Sequence, residues 1–434
     1  MFILKKLFLI ILSFLFFLPI FAQEKLDTLE VNICAKNYQK MKFLVAIVGE
    51  PDQELTNFVQ TLKKDLETNF DVVIENIDKL KSKKDLKRLE DLGYTLGLFI
   101  DRISRTFIEW RLYDIAQFNM LKGKKINYSC NNKIENMAHS LADELWPDIT
   151  CQEGSFSSMI AACKKMHLKN KSYHSSIYIF HPTDDLEKDL DPLVSEPTIF
   201  VSTRWHNLRP TVYYSKHTNY NVRLMSVDLF KNKQIVANFE GLNLTPSFSP
   251  LGNIILLLTR NGKSRVCKYK FDLKRKKGLY IPLTTNSIHA ISPSFIDENR
   301  IVFCAIDSAN KPKIAILHLD KNNKIEYITE SGYCVSPCYS LKNGKIAYCK
   351  KVQGYLQLFL YDLNTQNHRQ VTFDKGDKDS CSWSPCGNYL VFSVENKKES
   401  RICIFNLISN QNRFISPKNE YWCYPSWSPV YNKF

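Results

Sequence analysis

From about residue 155 onward, the chain is a succession of short apolar runs separated by turns rich in Gly and Asn. After Trp383-Ser384-Pro385, the turn Cys386-Gly387-Asn388 is followed by the runs NYLVFSVE, SRICIFNL and NRFIS. Runs of about four to eight apolar and β-branched residues between such turns are typical of strands joined as hairpins. Gly and Asn accept the positive φ that tight hairpin turns require. The pattern predicts units of four strands.

These units repeat with a nearly constant period. Each begins near an anchor residue, usually proline and often followed by Ser-Pro; the anchors are Pro197, Pro246, Pro293, Pro337, Cys381 and Pro425. Their spacings are 49, 47, 44, 44 and 44 residues. A period in the mid-forties with four strands per unit is typical of the blades of a β-propeller. Aromatic residues after the anchors are predicted to pack between blades: Phe248, Phe295, Tyr339, Trp383 and Trp427.

The last anchor, Pro425, is followed by so few residues that the C-terminus supplies only one strand of its unit. The strands that complete this unit are predicted before the first anchor, at 157–165, 175–182 and 191–195. One blade then joins both ends of the propeller, with its innermost strand from the C-terminus. Such closure pairs strand edges that would otherwise be exposed. The predicted count is six blades.

Residues 29–149 follow a different pattern, in which strand-like and helical runs alternate. Strands are predicted at 29–34, 42–49, 70–77, 94–103, 107–116 and 124–130. Helices are predicted from apolar stripes at 55–66, 84–91 and 132–146, the last capped by Asn131 or Asn132 and ended by Pro147. The predicted fold class is a small α+β N-terminal domain, 23–150, followed by an all-β six-bladed β-propeller, 151–434.

The first 22 residues have the composition of a cleaved secretory signal peptide. Lys5 and Lys6 precede the apolar run 7–21, and Ala22 precedes the expected cleavage point. A retained membrane helix is the alternative, but about 15 residues interrupted by Pro19 are short for spanning a bilayer. No later run is long enough, so no transmembrane segment is predicted in the mature chain.

Charge and cysteine content add little to this picture. The net charge is +15, and the basic cluster Lys274–Lys277 is predicted in a hairpin loop. Nucleic acid is not an expected partner of an exported protein, whereas an anionic envelope surface or an acidic partner stays open. Of the 13 cysteines, Cys163, Cys304 and Cys349 fall at equivalent strand ends. This favours small core residues over bridges, although export permits disulfides.

The sequence offers no motif for catalysis, cofactor binding or metal binding. It lacks the G-x-S-x-G, H-E-x-x-H and P-loop patterns. His167, His174 and His181 are spaced by seven but fall in different strands or loops. The acidic run 184–189 is predicted to be a solvated loop rather than a calcium site. The residues therefore provide no candidate for catalysis, and we expect no cofactor.

Three segments resemble the TolB family, periplasmic propeller proteins of the Tol-Pal system of Gram-negative bacteria. GSFSSMIAAC at 154–163 resembles the family's run into its first blade, and LGYTLGLFI at 92–100 resembles a strand of its N-terminal domain. The terminal Trp427-Ser428-Pro429 resembles its closing strand. The family's usual SPDG turn reads SPLG and SPCG here. The resemblance covers essentially the whole mature chain and implies a non-enzymatic periplasmic protein that supports outer-membrane integrity and cell division.

The resemblance also implies two partners. The first is Pal, the peptidoglycan-associated lipoprotein, which the family binds over one mouth of the propeller. The second is TolA, contacted by the segment before the first strand, here 23–29 with Glu24 and Asp27. The family's Pal-contact loops precede the first strand of each blade, and the corresponding residues are Asn243, His289, Ile291, Tyr333, Asp379 and Trp422.

Two alternatives to this interpretation remain at the level of sequence. One is a propeller that serves as an accessory or regulatory domain of an envelope hydrolase or peptidase. The other is a propeller scaffold of a different envelope complex.

Overall fold

The computed structural model describes residues 40–77, 83–104, 107–127, 134–167, 172–184, 186, 190–272, 274, 277–306 and 310–431. The predicted signal peptide, the strand at 29–34, Glu24, Asp27 and the Asn131 or Asn132 cap lie outside the described residues. Within those ranges, no helix combines the length and apolar character needed to cross a membrane.

The N-terminal part is built on one five-stranded sheet with helices against it. Its strands are β1 (Lys42–Val48), β2 (Asp71–Ile77), β3 (Leu96–Ser104), β4 (Phe107–Asp114) and β5 (Asn119–Asn127). Its helices are α1 (Gln53–Leu66), α2 (Lys83–Asp91) and α3 (Ile134–Thr150). The strand order is β2-β1-β3-β4-β5, with β1 parallel to both neighbours and the β3-β4-β5 pairs antiparallel. The prediction of a small α/β part is confirmed.

The helices form where the apolar stripes predicted them. Asp52 caps α1, since its carboxylate accepts a hydrogen bond from the Leu55 N–H at 2.9 Å. Phe58 and Leu62 of α1 are fully buried with Trp146 of α3 in one apolar cluster. This cluster joins the two longer helices to the sheet.

The predicted end of α3 at Pro147 is wrong, because the helix continues to Thr150 with the proline inside it. A proline removes only the hydrogen bond of its own nitrogen from the helix. The next turn is still closed by the Cys151 N–H, which donates to the Pro147 carbonyl at 3.0 Å. The loss of one bond near the end of a helix is tolerated.

The rest of the chain consists of short antiparallel strands. The first are β6 (Ile160–His167), β7 (Tyr173–Phe180), β8 (Val194–Glu196), β9 (Phe200–Trp205), β10 (Thr211–His217), β11 (Val222–Asp228) and β12 (Lys233–Ala237). They are followed by β13 (Leu242–Phe248), β14 (Ile254–Arg260), β15 (Lys263–Asp272), β16 (Lys277–Pro282), β17 (His289–Phe295), β18 (Arg300–Ile306), β19 (Pro312–His318) and β20 (Lys324–Tyr327). The last are β21 (Cys334–Ser340), β22 (Lys345–Val352), β23 (Tyr355–Asp362), β24 (His368–Gln370), β25 (Asp377–Trp383), β26 (Tyr389–Glu395), β27 (Ser400–Asn406), β28 (Gln411–Phe414) and β29 (Tyr421–Trp427).

These strands form two four-stranded and two eight-stranded sheets. In the larger sheets, a single parallel residue pair joins two units: Val222 with Leu242 between β11 and β13, and Ser400 with Tyr421 between β27 and β29. Such repeated antiparallel units are those of a β-propeller. The propeller prediction is confirmed, and the count of six blades stays a prediction.

The C-terminal strand pairs with the first propeller strand, as the sequence predicted. β29 is antiparallel to β6, and Trp427 lies opposite Ile160. The Trp427 indole N–H donates to the Ser158 hydroxyl at 2.7 Å, and the Trp427 backbone N–H donates to the Ser382 hydroxyl at 2.9 Å. Both ends of the propeller are therefore held in one sheet.

The inner wall is formed by β9, β13, β17, β21, β25 and β29, which contact one another in this order, and β29 contacts β9. Each has one residue with positive φ in its middle: Ser202, Thr245, Ser292, Ser336, Ser380 and Tyr424. At this residue the pairing with the neighbouring strand shifts register, as in a β-bulge. The repeat therefore encodes a bulge, and the anchor residue follows it.

The first predicted anchor, Pro197, is wrong. It lies between β8 and β9, whereas the residue that follows the positive-φ position of β9 is Thr203. The corresponding aromatic residue is then Trp205, 43 residues before Phe248. The bulge requires a backbone conformation rather than a proline, and so this strand forms it without one.

Hydroxyl groups link the inner strands to their neighbours. The Phe295 N–H donates to Ser247 at 3.0 Å, the Trp427 N–H to Ser382 at 2.9 Å and the Trp205 N–H to Ser426 at 3.3 Å. In each pair, the residue that donates lies one position further along its strand than the serine that accepts on the neighbouring strand. Because this relation is the same in all three pairs, the inner strands run in one direction and their starts lie at one mouth.

The residues predicted to fill the core do so in most cases. Phe248, Phe295, Trp383 and Trp427 are buried between sheets, and Tyr339 is half-buried. The 11 cysteines that the structure describes are free thiols. Cys163, Cys304 and Cys349 are fully buried, which agrees with their prediction as small core residues.

Candidate protein-binding rim

The starts of the inner strands line one mouth of the propeller. We call the loops that lead into them, together with the strands' first three residues, the strand-start rim. Its described loops are 197–199, 238–241, 283–288, 328–333, 371–376 and 415–420. This is the surface on which the sequence predicted partner contacts.

Four of these loops are fixed by the same hydrogen bond. After each fourth strand, a buried Thr or Ser hydroxyl accepts a hydrogen bond from a backbone N–H of the third strand. The pairs are Thr284 with Val266 at 3.1 Å, Thr329 with Ile314 at 2.9 Å, Thr372 with Leu358 at 2.9 Å and Ser416 with Ile402 at 2.8 Å. Each bond satisfies a buried N–H, so the loops leave the sheets from fixed points.

Lys378 holds the loop before β25 from inside. Its side chain is fully buried, and its ammonium donates to the carbonyl oxygens of Asp374, Lys375 and Gly376. The ammonium also lies 3.3 Å from the Asp374 carboxylate. A buried ammonium is tolerated when its donors are used. The loop is therefore held in one conformation, and it presents Phe373 with 77% of the residue exposed.

Tyr333 is the most exposed of the predicted rim residues. Half of it is open to solvent, while its backbone carbonyl accepts a hydrogen bond from the Lys351 N–H at 2.9 Å. His289 and Ile291, in β17, are half-buried. These three residues remain candidates for contact.

Asp379 is also half-buried, but its carboxylate already has partners. Ser336 donates to it at 2.5 Å from the neighbouring strand, and Ser380 donates at 3.3 Å. Asp379 is therefore a contact candidate that also joins β21 to β25.

Two predicted contact residues are corrected by the structure. Asn243 is fully buried; its amide donates to the carbonyls of Val222 and Phe239 at 2.8 Å, and its oxygen accepts from the Phe239 N–H at 3.1 Å. All of these bonds lie within the protein. Asn243 therefore shapes a rim loop and offers no free polar group.

Trp422 is the second correction, since it is only 2% exposed. Its indole N–H donates to the Glu420 carboxylate at 2.6 Å. Its ring packs against Tyr178 at a centroid distance of 5.1 Å and beneath the Lys164 ammonium at 5.5 Å. The side chain belongs to the core behind the rim and is not an exposed anchor.

Sequence reasoning missed Phe373, although a signal was present. The residue directly after each buried Thr or Ser differs from loop to loop, being Thr285, Glu330, Phe373 and Pro417. A residue whose identity differs between loops, next to a buried residue that recurs in them, is expected to point towards solvent. An aromatic residue at such a position indicates a surface contact rather than core packing.

Behind the rim, the inner wall holds the Arg204 side chain. Burial lowers the pKa of Arg204, while Cys338, Cys381 and Asp379 act in the opposite direction. The Arg204 guanidinium donates to the Thr203 carbonyl at 2.9 Å. The effects of Cys338, Cys381 and Asp379 on its pKa show that the guanidinium lies near the thiols and the carboxylate of β21 and β25.

The segment after α3 contacts the opposite mouth. The Ser155 hydroxyl accepts a hydrogen bond from the Cys386 N–H at 3.2 Å, and Lys342 forms an ion pair with Glu153. Lys342 and Cys386 lie in the turns that follow β21 and β25, at the far end of the inner strands. These contacts therefore lie at the mouth opposite the strand-start rim.

The structure does not bring the candidate metal ligands together among the described residues. No group of three or more His, Cys, Asp or Glu side chains in these ranges has metal-binding geometry. The three regularly spaced histidines do not meet: His167 packs on Tyr173 at 4.4 Å, and His174 hydrogen-bonds Ser195 at 2.7 Å. His181 instead stacks on His139 at 4.0 Å. Of the acidic run, Asp185 and 187–189 lie outside the described residues.

Comparison with known proteins gives a consistent result. Residues 146–431 match the family model described as the TolB beta propeller domain. The Tol-Pal system protein TolB of Ruthia magnifica subsp. Calyptogena magnifica is 24% identical over 358 residues, 81% of each chain. The protein of the same name from Francisella tularensis subsp. holarctica (strain OSU18) is 21% identical over 73% of each chain. That of Gluconobacter oxydans (strain 621H) is 25% identical, but the match spans 37% of this chain and 34% of the relative.

The fold is likewise similar to a solved structure. The crystal structure of TolB from Acinetobacter baumannii superposes with a TM-score of 0.72 at 19% identity, covering 90% of this chain and 97% of that one. At this identity, the likeness shows the fold alone.

Proposed function

This chain belongs to the TolB β-propeller family, and from that premise we propose that it is a non-enzymatic protein-binding component of the Tol-Pal system in the periplasm. After cleavage of residues 1–22, a domain at 23–150 precedes a six-bladed propeller at 151–434. The rim binds a Pal-type lipoprotein, and the segment with Glu24 and Asp27 contacts TolA. These contacts support outer-membrane integrity and constriction during division.

The construction of the strand-start rim carries this proposal. Tyr333 and Phe373 are exposed aromatic residues on backbone that hydrogen bonds hold in place. Protein interfaces draw most of their affinity from a few such anchors, and anchors fixed in advance lose little entropy on binding. His289 and Asp379 lie half-buried on neighbouring inner strands and supply polar specificity.

The proposed count of six blades is supported by the cycle of inner strands. Contacts run from β9 through β13, β17, β21 and β25 to β29 and back to β9. Each of these strands contains the same bulge and begins one repeat of the sequence.

The test is calorimetric titration of the full mature chain with the globular domain of a Pal-type lipoprotein that lacks its lipid. We expect Tyr333→Ala and Phe373→Ala each to weaken binding about 30-fold, the effect of losing about 2 kcal/mol at a hot spot. Phe230→Ala is the matched control, because Phe230 is 87% exposed in the turn between β11 and β12, at the opposite end of the strands.

Wild-type affinity in both rim variants would refute the proposed surface. Undetectable binding by the wild-type chain would refute the lipoprotein as the partner. Deletion of 23–29 tests the TolA contact separately, since we expect it to abolish TolA binding and to leave lipoprotein affinity within a few fold.

A further inference from the structure

At one junction of the inner wall, the repeat departs from its pattern twice, and both departures are cysteines. Cys381 takes the place of the anchor proline, and Cys338 takes the place of the serine that follows the anchor in β13 and β25. That serine, Ser247 or Ser382, accepts a backbone hydrogen bond from the next strand. Between β21 and β25 the two cysteines face each other, with their Sγ atoms 3.1 Å apart.

The two strands are held firmly on either side of this pair. The Cys381 thiol lies 3.4 Å from the Ser336 carbonyl of β21. The Trp383 indole N–H donates to the Cys338 carbonyl at 3.2 Å. Since a disulfide bond is about 2.05 Å long, the two sulfur atoms need to approach by only about 1 Å. Both strands are already in register for the bond.

The surroundings favour the thiolate at Cys381 only, because burial and the neighbouring Cys381 raise the pKa of Cys338. Hydrogen bonds from Cys338 and Cys349 lower the pKa of Cys381 to about 5, and the Arg204 guanidinium acts in the same direction. The thiolate is the species that attacks a disulfide. Cys381 is buried, whereas Cys338 is partly exposed on the inner wall, so an oxidant reaches Cys338 first.

We propose that Cys338 and Cys381 form a disulfide site, oxidised by exchange with an external disulfide such as oxidised glutathione or an oxidoreductase. The Cys338 sulfur attacks the external disulfide and forms a mixed disulfide, and the first half leaves as a thiol. The Cys381 sulfur then attacks Cys338, and the second half leaves as a thiol. Two protein sulfur atoms are oxidised and one external disulfide is reduced; the Cys338 proton leaves with one released half, and the other half takes its proton from water.

The bond would join β21 to β25 covalently and close a loop of more than 40 residues in the unfolded chain. Disulfides across long loops stabilise mainly by restricting that unfolded chain. The oxidised protein should therefore melt several degrees above the reduced one. This inference does not depend on the Tol-Pal role.

The test uses the full mature chain, purified under reducing conditions and incubated with oxidised glutathione and a catalytic amount of a thiol–disulfide oxidoreductase. Free thiols are then alkylated in denaturant, and the tryptic peptides are identified by mass. Cleavage after lysine gives the peptides 325–342 and 379–397, and each holds a second cysteine, Cys334 or Cys386. These two provide matched control substitutions.

We expect the peptides 325–342 and 379–397 to be linked in the wild-type chain and in the Cys334→Ser/Cys386→Ser double variant. The link should be lost in Cys338→Ser, which restores the serine of the other strands, and in Cys381→Ala. A link that survives in either variant, a link from Cys349 to Cys381, or a stable glutathione adduct at Cys338 would overturn the proposal. A wild-type chain whose cysteines are all alkylated would also overturn it. This last measurement uses only the wild-type chain, so it does not depend on how any variant folds.

Discussion

Trp427→Ala tests whether the C-terminal strand closes the propeller. Trp427 is 6% exposed, packs in the cluster between β6, β26 and β29, and donates its indole N–H to Ser158 at 2.7 Å. A buried Trp covers about 150–250 Å², which at about 25 cal/mol/Å² corresponds to about 4–6 kcal/mol. Measured Trp→Ala changes in cores fall at about 3–5 kcal/mol. The variant should lose about 4 kcal/mol, a large share of a net stability of about 5–15 kcal/mol.

Urea unfolding followed by far-UV circular dichroism measures this loss without relying on Trp fluorescence. Trp427→Phe retains most of the ring packing and loses the indole hydrogen bond, so it should cost about 1–2 kcal/mol. Phe230→Ala, at a residue 87% exposed, should change stability by less than about 0.5 kcal/mol. If Trp427→Ala is no more damaging than Phe230→Ala, Trp427 is not part of the core and the closure argued from its packing is refuted.

Three further predictions concern buried polar groups. Burial, and secondarily Arg209, lowers the pKa of His206 to about 4, from about 6.5 in the unfolded chain. The free energy of unfolding should therefore fall as the pH drops from about 6.5 to about 4, because the unfolded chain binds the proton more tightly. The fall should be smaller in His206→Gln, as acid titration of unfolding will show. Lys378→Met leaves carbonyls of the loop 374–376 without their donor, so limited trypsin digestion should cut faster after Lys375; an unchanged rate would contradict the role of the lysine. Asn243→Ala should lower the free energy of unfolding by about 2 kcal/mol or more, because buried backbone groups lose their partner. Equal urea midpoints of the variant and the wild type would contradict the structural role of Asn243.

The period of the repeat was sufficient to predict the propeller and the pairing of its last strand with its first. It failed at Pro197, because the repeated feature is a backbone bulge and proline only accompanies it. In β9 the same bulge is formed by Ser202 and Thr203 without proline. The aromatic residue that follows, Trp205, was the better guide to the register.

The rim was harder to predict than the fold. Position along the chain placed Asn243 and Trp422 near the mouth, but whether a side chain is free depends on its neighbours in space. Val222 supplies a partner for the buried Asn243 amide, and Tyr178 covers Trp422 from a strand more than 240 residues earlier in the chain. Single-sequence patterns contain no record of such distant contacts.

The pairing of β29 with β6 also imposes an order on synthesis. While the chain is being made, the edge of β6 has no partner until β29 (Tyr421–Trp427) has been synthesised, more than 250 residues later. Until then an open strand edge is available to other chains, the condition that favours aggregation and chaperone binding. A chain cut before β29 therefore cannot complete the sheet that β6 begins. Completion of this propeller sheet is thus one of the latest steps open to the folding chain.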